Sequence, residues 1–191
     1  MSHETAKRQE YTETPVQTVY TRMSELLGIS IKSEADIWRV MQTGISARRL
    51  KHLMKRLRLA PGAVGPETTI RRRLHRLQVL EASQKAITTR RAKYKGAETR
   101  IHDSVKAHGR VAVMEEPRLN PFETERLTRL TRVVSEATQL FGDEKTALDW
   151  LYTPADFLHD EKPIQPMKLA ETESGARMVE SMISRTVHGF F

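Results

Sequence analysis

Residues 118–154 read RLNPFETERLTRLTRVVSEATQLFGDEKTALDWLYTP, and this stretch decides the fold class. Asn120 suits a helix N-cap, Pro121 suits the first helical position, and Glu123 stands three residues after the cap, where its carboxylate can reach back to the cap N–H. Leu127, Leu130, Val134, Ala137 and Phe141 then recur at spacings of 3, 4, 3 and 4, which is the repeat of a helix with one apolar face. Gly142 ends that helix. Asp143 caps a shorter one that runs through Trp150 and Leu151 and is stopped by Pro154. The long stripe has two readings, a contact between subunits or the chain's own core; Trp150 is expected in the core.

Reading outward toward the C-terminus, Pro166 begins a brief turn. Thr172 caps a last helix with Ala176, Val179, Met182, Ile183 and Val187 inward, and Gly189 ends it. Toward the N-terminus the pattern is again helical. Thr14 and Pro15 open a helix carrying Val16, Val19, Tyr20, Met23, Leu26 and Leu27 up to Gly28. Ser33 and Asp36 open a second with Ile37, Val40 and Met41 on one face, closed by Gly44. A third runs from about Ser46 to Leu59, with Leu50, Leu53, Met54 and Leu57 set against Arg48, Arg49, Lys51, Lys55, Arg56 and Arg58. After the turn Ala60-Pro61-Gly62, a fourth helix starts at Pro66 with Ile70, Leu74, Leu77 and Leu80 as its stripe. Glu81-Ala82-Ser83 is read as a short break, with Ser83 capping a fifth helix that ends near Gly96. A helix at 101–108 and a short extended piece around 111–117 complete the reading. The expectation is an all-α chain with a loose polar arm at 1–13, a helical DNA-binding and dimerisation region at 14–117, and a second helical domain at 118–191.

Charge sharpens the division. The 191 residues carry 32 Lys and Arg against 24 Asp and Glu, a net of +8. Residues 44–110 hold 18 of the bases and 4 of the acids, a local net of +14, whereas residues 118–191 are net acidic at -3. A field of that density attracts a polyanion, and each cation placed on a phosphate releases condensed counterions. Helix, short turn and basic helix is the helix-turn-helix arrangement, whose second helix lies in the major groove. Two stretches compete for that role, 66–73 and 83–91; the second is favoured because a complete amphipathic helix precedes it. The candidate DNA-binding residues are therefore Lys85, Thr88, Thr89, Arg90, Arg91 and Lys93, with Arg71, Arg72, Arg73 and Arg76 from the competing register. Helix-turn-helix proteins read two-fold operators with paired modules, so at least a dimer is expected.

The chain has no cysteine, which removes disulfides, thiolate zinc sites and cysteine nucleophiles. Its seven histidines include no pair at the i, i+4 spacing of a helical metal site. No nucleophile elbow, Walker loop or dinucleotide-binding glycine motif occurs. Asp156, Asp160 and Glu161 lie together in a polar loop where solvation explains them. No run of about 18 apolar residues and no signal-peptide core is present, so the expectation is a cytoplasmic protein without enzymatic activity, metal or cofactor.

At this point the quoted stretch, together with MKLAETESGARMVESMISRTVHGFF at 167–191, resembles the toxin-binding domain of Xre/MbcA/ParS antitoxins. The residues carrying the resemblance are Leu119-Asn120-Pro121, Glu125 to Leu127 in part, Phe141-Gly142, Ala147 to Leu151, Thr153-Pro154, Thr172 to Gly175 and His188-Gly189. Upstream, SEADIWRVMQTGISARRLKHL at 33–53 resembles the start of the Xre-type helix-turn-helix region. The middle of the chain is longer than the family pattern. The resemblance implies an antitoxin that neutralises a cognate RES-domain toxin acting on NAD, and that represses its own operon through operator DNA. It also implies that the C-terminal end reaches the toxin's NAD cleft. Arg177, Met178, Met182, Arg185, His188, Gly189, Phe190 and Phe191 are accordingly the candidate toxin-binding residues; adaptable methionines and a terminal aromatic pair suit an interface. A stand-alone helix-turn-helix repressor whose C-terminal domain only dimerises is the competing reading, and RNA binding ranks last because stacking aromatics are lacking.

Overall fold

The computed structural model describes residues 15–93, 115–156 and 162–188. Among them the fold is all-α: α1 (Pro15–Leu27), α2 (Glu34–Thr43), α3 (Ala47–Arg56), α4 (Pro61–Val64), α5 (Glu67–Lys93), α6 (Pro121–Phe141), α7 (Glu144–Tyr152), α8 (Pro166–Leu169) and α9 (Glu173–His188). The arm at 1–13, the cap Thr14, the helix expected around 101–108, most of the extended piece after it, and Gly189 to Phe191 lie outside the described residues.

The helix ends follow from local chemistry. Asp36 accepts from the Lys32 N–H at 3.0 Å and from the Ser33 hydroxyl at 3.1 Å, which ties the start of α2. Gly44 closes that helix with φ of 71°, a left-handed conformation that disfavours a side chain. A Cβ at Gly44 would stand 2.4 Å from the Leu119 carbonyl oxygen, because the strap before α6 crosses there. The strap is held by a single antiparallel bridge, Ser46 to Arg118, with Leu119 N–H donating to Ile45 and Ala47 N–H to Pro117. At α6, Asn120 and Glu123 form the complete capping box that the sequence predicts. Asp143 caps α7 through the Thr146 N–H at 2.7 Å. Thr172 accepts from the Gly175 N–H at 3.1 Å and so opens α9.

One expectation in the middle of the chain is overturned. Residues 81–83 make no break: α5 is continuous over 27 residues, about 40 Å at 1.5 Å per residue. Ser83 does not cap a fifth helix but donates its hydroxyl to the Val79 carbonyl four residues back, as Thr88 does to Gln84 and Thr89 to Lys85. With neither Gly nor Pro at the site, nothing interrupts the backbone ladder. Glu81 is instead held by α3, through Lys51 at 2.9 Å and Arg48 at 3.9 Å. The Ala60-Pro61-Gly62 turn likewise opens the short helix α4.

The core is organised around α6, which packs against α1, α2, α4, α7 and α9. Leu127, Leu130, Val134 and Ala137 are fully buried inside the chain and Phe141 packs partly buried beside them. Of the two readings of that stripe, core is the one realised. Trp150 packs against the same core, 5.6 Å from the Phe141 ring. The other side of α6 is buried as well, including Thr124, Thr128, Arg129, Thr131, Ser135 and Thr138. Four of the hydroxyls there are satisfied within the helix, since Thr128, Thr131, Ser135 and Thr138 each donate to the carbonyl four residues back, whereas the buried Thr124 hydroxyl has no partner among the described residues. One cluster of buried side chains runs from Met23 to Ile183 and so crosses the 117/118 boundary.

Candidate functional site

Two surfaces gather the residues singled out by sequence. The first is basic and lies on α3 and α5. Ion pairing sorts its cations into two groups. Arg48 and Lys51 share the Glu81 carboxylate, while Arg56 pairs with Glu144, Arg58 with Asp149 and Arg71 with Glu67. Arg73 turns inward to the buried carboxylate of Glu123, the residue that also completes the α6 capping box. Arg49, Lys55, Arg72, Arg76 and Lys85 are exposed and make no ion pair among the described residues. Thr88 and Thr89 are exposed near the far end of α5; Arg90, Arg91 and Lys93 continue the same helix. The two competing stretches are thus parts of one rod, and a new helix begins only at Glu67.

The second surface is the outer side of α9. Ala176, Val179 and Ile183 turn inward to the core. Arg177, Met178, Ser181, Met182 and Arg185 line a groove of about 410 Å³, completed by Asp156 from the loop after α7. Four of the expected toxin-binding residues are thereby brought together. His188 ends α9, and Gly189, Phe190 and Phe191 lie outside the described residues. Met178 is 37% exposed, while Met182 is half-buried at the core edge. Arg177 pairs with Glu173 at 3.0 Å, and Arg185 donates to the Ser181 hydroxyl at 3.2 Å, with no ion pair among the described residues. Sequence reasoning set Asp156 aside as a solvated loop residue and passed over Ser181. The i+4 spacing from Arg177 and the i−4 spacing from Arg185 were the available signal for Ser181; nothing local marks Asp156.

The groove is held in place from behind. Arg129, 7% exposed on α6, donates to the Ala170 carbonyl at 3.2 Å and the Glu171 carbonyl at 2.9 Å. It also pairs with Glu125 and, at 3.3 Å, with Glu173 in the first turn of α9. The packing of α9 on α8 is close: a Cβ at Gly175 would stand 2.0 Å from the Leu169 carbonyl oxygen. No group of three or more metal-ligating side chains occurs among the described residues, and no helix among them is long and apolar enough to cross a membrane.

The molecule thus presents exposed cations on α3 and α5 and a methionine-lined groove on α9. Residues 136–189, which include all of α9, match the family model described as the antitoxin Xre/MbcA/ParS C-terminal toxin-binding domain. A protein named Antitoxin Xre from Yersinia enterocolitica is 41% identical over 75 residues, covering 39% of this chain and 49% of that protein. Another named Antitoxin Xre, from Photorhabdus laumondii, is 37% identical over 68 residues, covering 35% of this chain and 44% of its own length. The chain spans about half the length of the curated relatives it matches. Its C-terminal part is thus similar to the toxin-binding domain of Xre/MbcA/ParS antitoxins, in line with the sequence resemblance.

Proposed function

We propose that the chain is an antitoxin: its α9 groove docks a cognate toxin of the RES class, and its C-terminal end, Gly189 to Phe191, closes that toxin's NAD cleft. The observation that carries this reading is the overlap between the matched segment and the groove, since Arg177, Met178, Ser181, Met182 and Arg185 all fall inside residues 136–189. The methionines provide an adaptable apolar floor, and Arg185, without a carboxylate partner among the described residues, is available to an acidic group on the toxin. The chain acts in the cytoplasm by occupying a site, with no chemistry or cofactor of its own.

The basic surface of α3 and α5 binds operator DNA in this proposal, and the functions divide near 117/118 although the core is shared. Unpaired Arg72, Arg76 and Lys85 supply phosphate contacts, and the first turn of α5 at Thr68 and Thr69 replaces Ser83 as the start of the element that enters the groove. Two copies are required to read a two-fold operator.

Co-expression with the toxin tests the docking. Native protein should co-purify with the toxin and suppress its consumption of NAD. Met182→Asp with Arg185→Glu should lose both effects while leaving the circular dichroism spectrum unchanged, and removal of 189–191 should weaken suppression more than co-purification. A chain that binds operator DNA but captures no toxin would instead support the stand-alone repressor.

A further inference from the structure

The groove lies on the outer side of α9, and what seats the inner side includes an unusual charge cluster. Arg132 on α6 pairs with Glu180 on α9, Nε to Oε1 at 2.9 Å. Both side chains are largely covered, at 29% and 23% exposure. One turn along α6 from Arg132 stands Glu136, half-buried, with no hydrogen bond or ion pair among the described residues. Burial and the nearby Glu180 carboxylate push Glu136 up to about 7, against the opposing pull of Arg132. Arg132 also feels Glu34 from α2, and Glu34 accepts from the Tyr20 hydroxyl of α1 at 2.8 Å. A single guanidinium therefore serves three carboxylates where four helices meet. Glu180 is only one to three positions from Arg177, Met178, Ser181 and Met182, so displacement of its turn moves the groove.

We propose that Glu136, Arg132 and Glu180 are positioning residues for the α9 groove, forming a proton-held seat that keeps α9 docked while Glu136 is neutral and loosens it when that proton leaves. This rests on the reading of the groove as a docking site only for its consequence at the partner; the seat itself belongs to the isolated chain. With Glu136 protonated, Arg132 is free to pair with Glu180. Once Glu136 ionises, it repels Glu180 and competes for the same guanidinium. The sign follows from linkage: a carboxyl raised in the folded state contributes stability that is fully present below its unfolded value and is lost as pH rises through 7.

The test is amide hydrogen exchange of α9 in the full chain between pH 6 and pH 8.5, expressed as protection relative to the intrinsic rate at each pH. Native protein should lose about tenfold or more of its α9 protection across that range, a tenfold change corresponding to one unit of proton linkage. Glu136→Gln, which keeps the shape and cannot ionise, should be protected equally throughout, while the core of α6 is unaffected in both proteins. Glu180→Gln removes the repulsion together with the ion pair, so its α9 should exchange faster at pH 6 and respond less to pH. An unchanged pH response in Glu136→Gln, or a flat response in native protein, overturns the proposal. Toxin capture at pH 6 and pH 8.5 separates the two claims. A pH-dependent seat with no toxin bound at either pH refutes the docking reading alone, whereas capture at both pH values without any change in α9 protection refutes the seat alone.

Discussion

Arg72 and Arg73 are neighbours in sequence and opposites in role. A helix turns about 100° per residue, so a run of three arginines cannot share one direction. Arg73 lies three residues after the fully buried Ile70 and reaches the buried Glu123 carboxylate. Removing one member of such a pair strands the other charge, so Arg73→Ala should lower the unfolding free energy by about 3 kcal/mol or more. Arg72→Ala should stay within about 0.5 kcal/mol of native while weakening DNA binding; urea denaturation and a binding titration read the two effects. An equal cost for both substitutions would contradict the inward placement. The sequence reading set Arg73 with Arg71, Arg72 and Arg76 against the Ile70 stripe; its inward turn depends on a partner 50 residues away that leaves no local mark. Glu123 itself was recognised from its spacing to Asn120, but a capping pattern says nothing about a second, long-range counter-ion. At Gly175 the constraint is purely steric. Gly175→Ala should cost about 2 kcal/mol or more by the same denaturation assay, because backbone rather than a flexible side chain occupies the space.

Among the elements, α5 and α6 show two different ways in which periodicity misleads. Ser and Glu at 81–83 look like a cap because serine favours helix starts, but serine also hydrogen-bonds back within a helix when the surroundings continue it. The deciding contact, Glu81 to Lys51 and Arg48, is tertiary and leaves no local mark. Ser83→Pro discriminates: at a break it would be tolerated, but inside α5 it removes a ladder bond and should cost about 3 kcal/mol, with a visible loss of helical ellipticity. An unaltered spectrum and melting curve would restore the broken-helix reading. For α6 the apolar stripe was read correctly and its burial follows. The opposite face, rich in Thr and Ser, reads as solvent-exposed because hydroxyl residues rank as polar. Back-bonded hydroxyls present little unsatisfied polarity, so the helix can be covered on nearly every side.

At the scale of the whole molecule, charge and motif divide the chain near residue 117 while packing does not. Helices α1, α2 and α4 from one side enclose α6 from the other, so residues 118–191 expressed alone should lack a cooperative melting transition and show poor amide dispersion in NMR spectra. A well-dispersed spectrum from that fragment would show that the N-terminal helices are dispensable to the core. The outer residues of α9 stand in contrast, because Arg177, Ser181 and Arg185 are exposed and Leu127, Leu130 and Val134 are completely covered. Heritable change is therefore channelled. A saturation library selected only for folded protein should accept almost any polar replacement at 177, 181 and 185 and very few replacements at 127, 130 and 134. If α9 docks a toxin as proposed, partner choice can drift across its outer turns while the enclosed helix behind it holds the lineage to a single architecture.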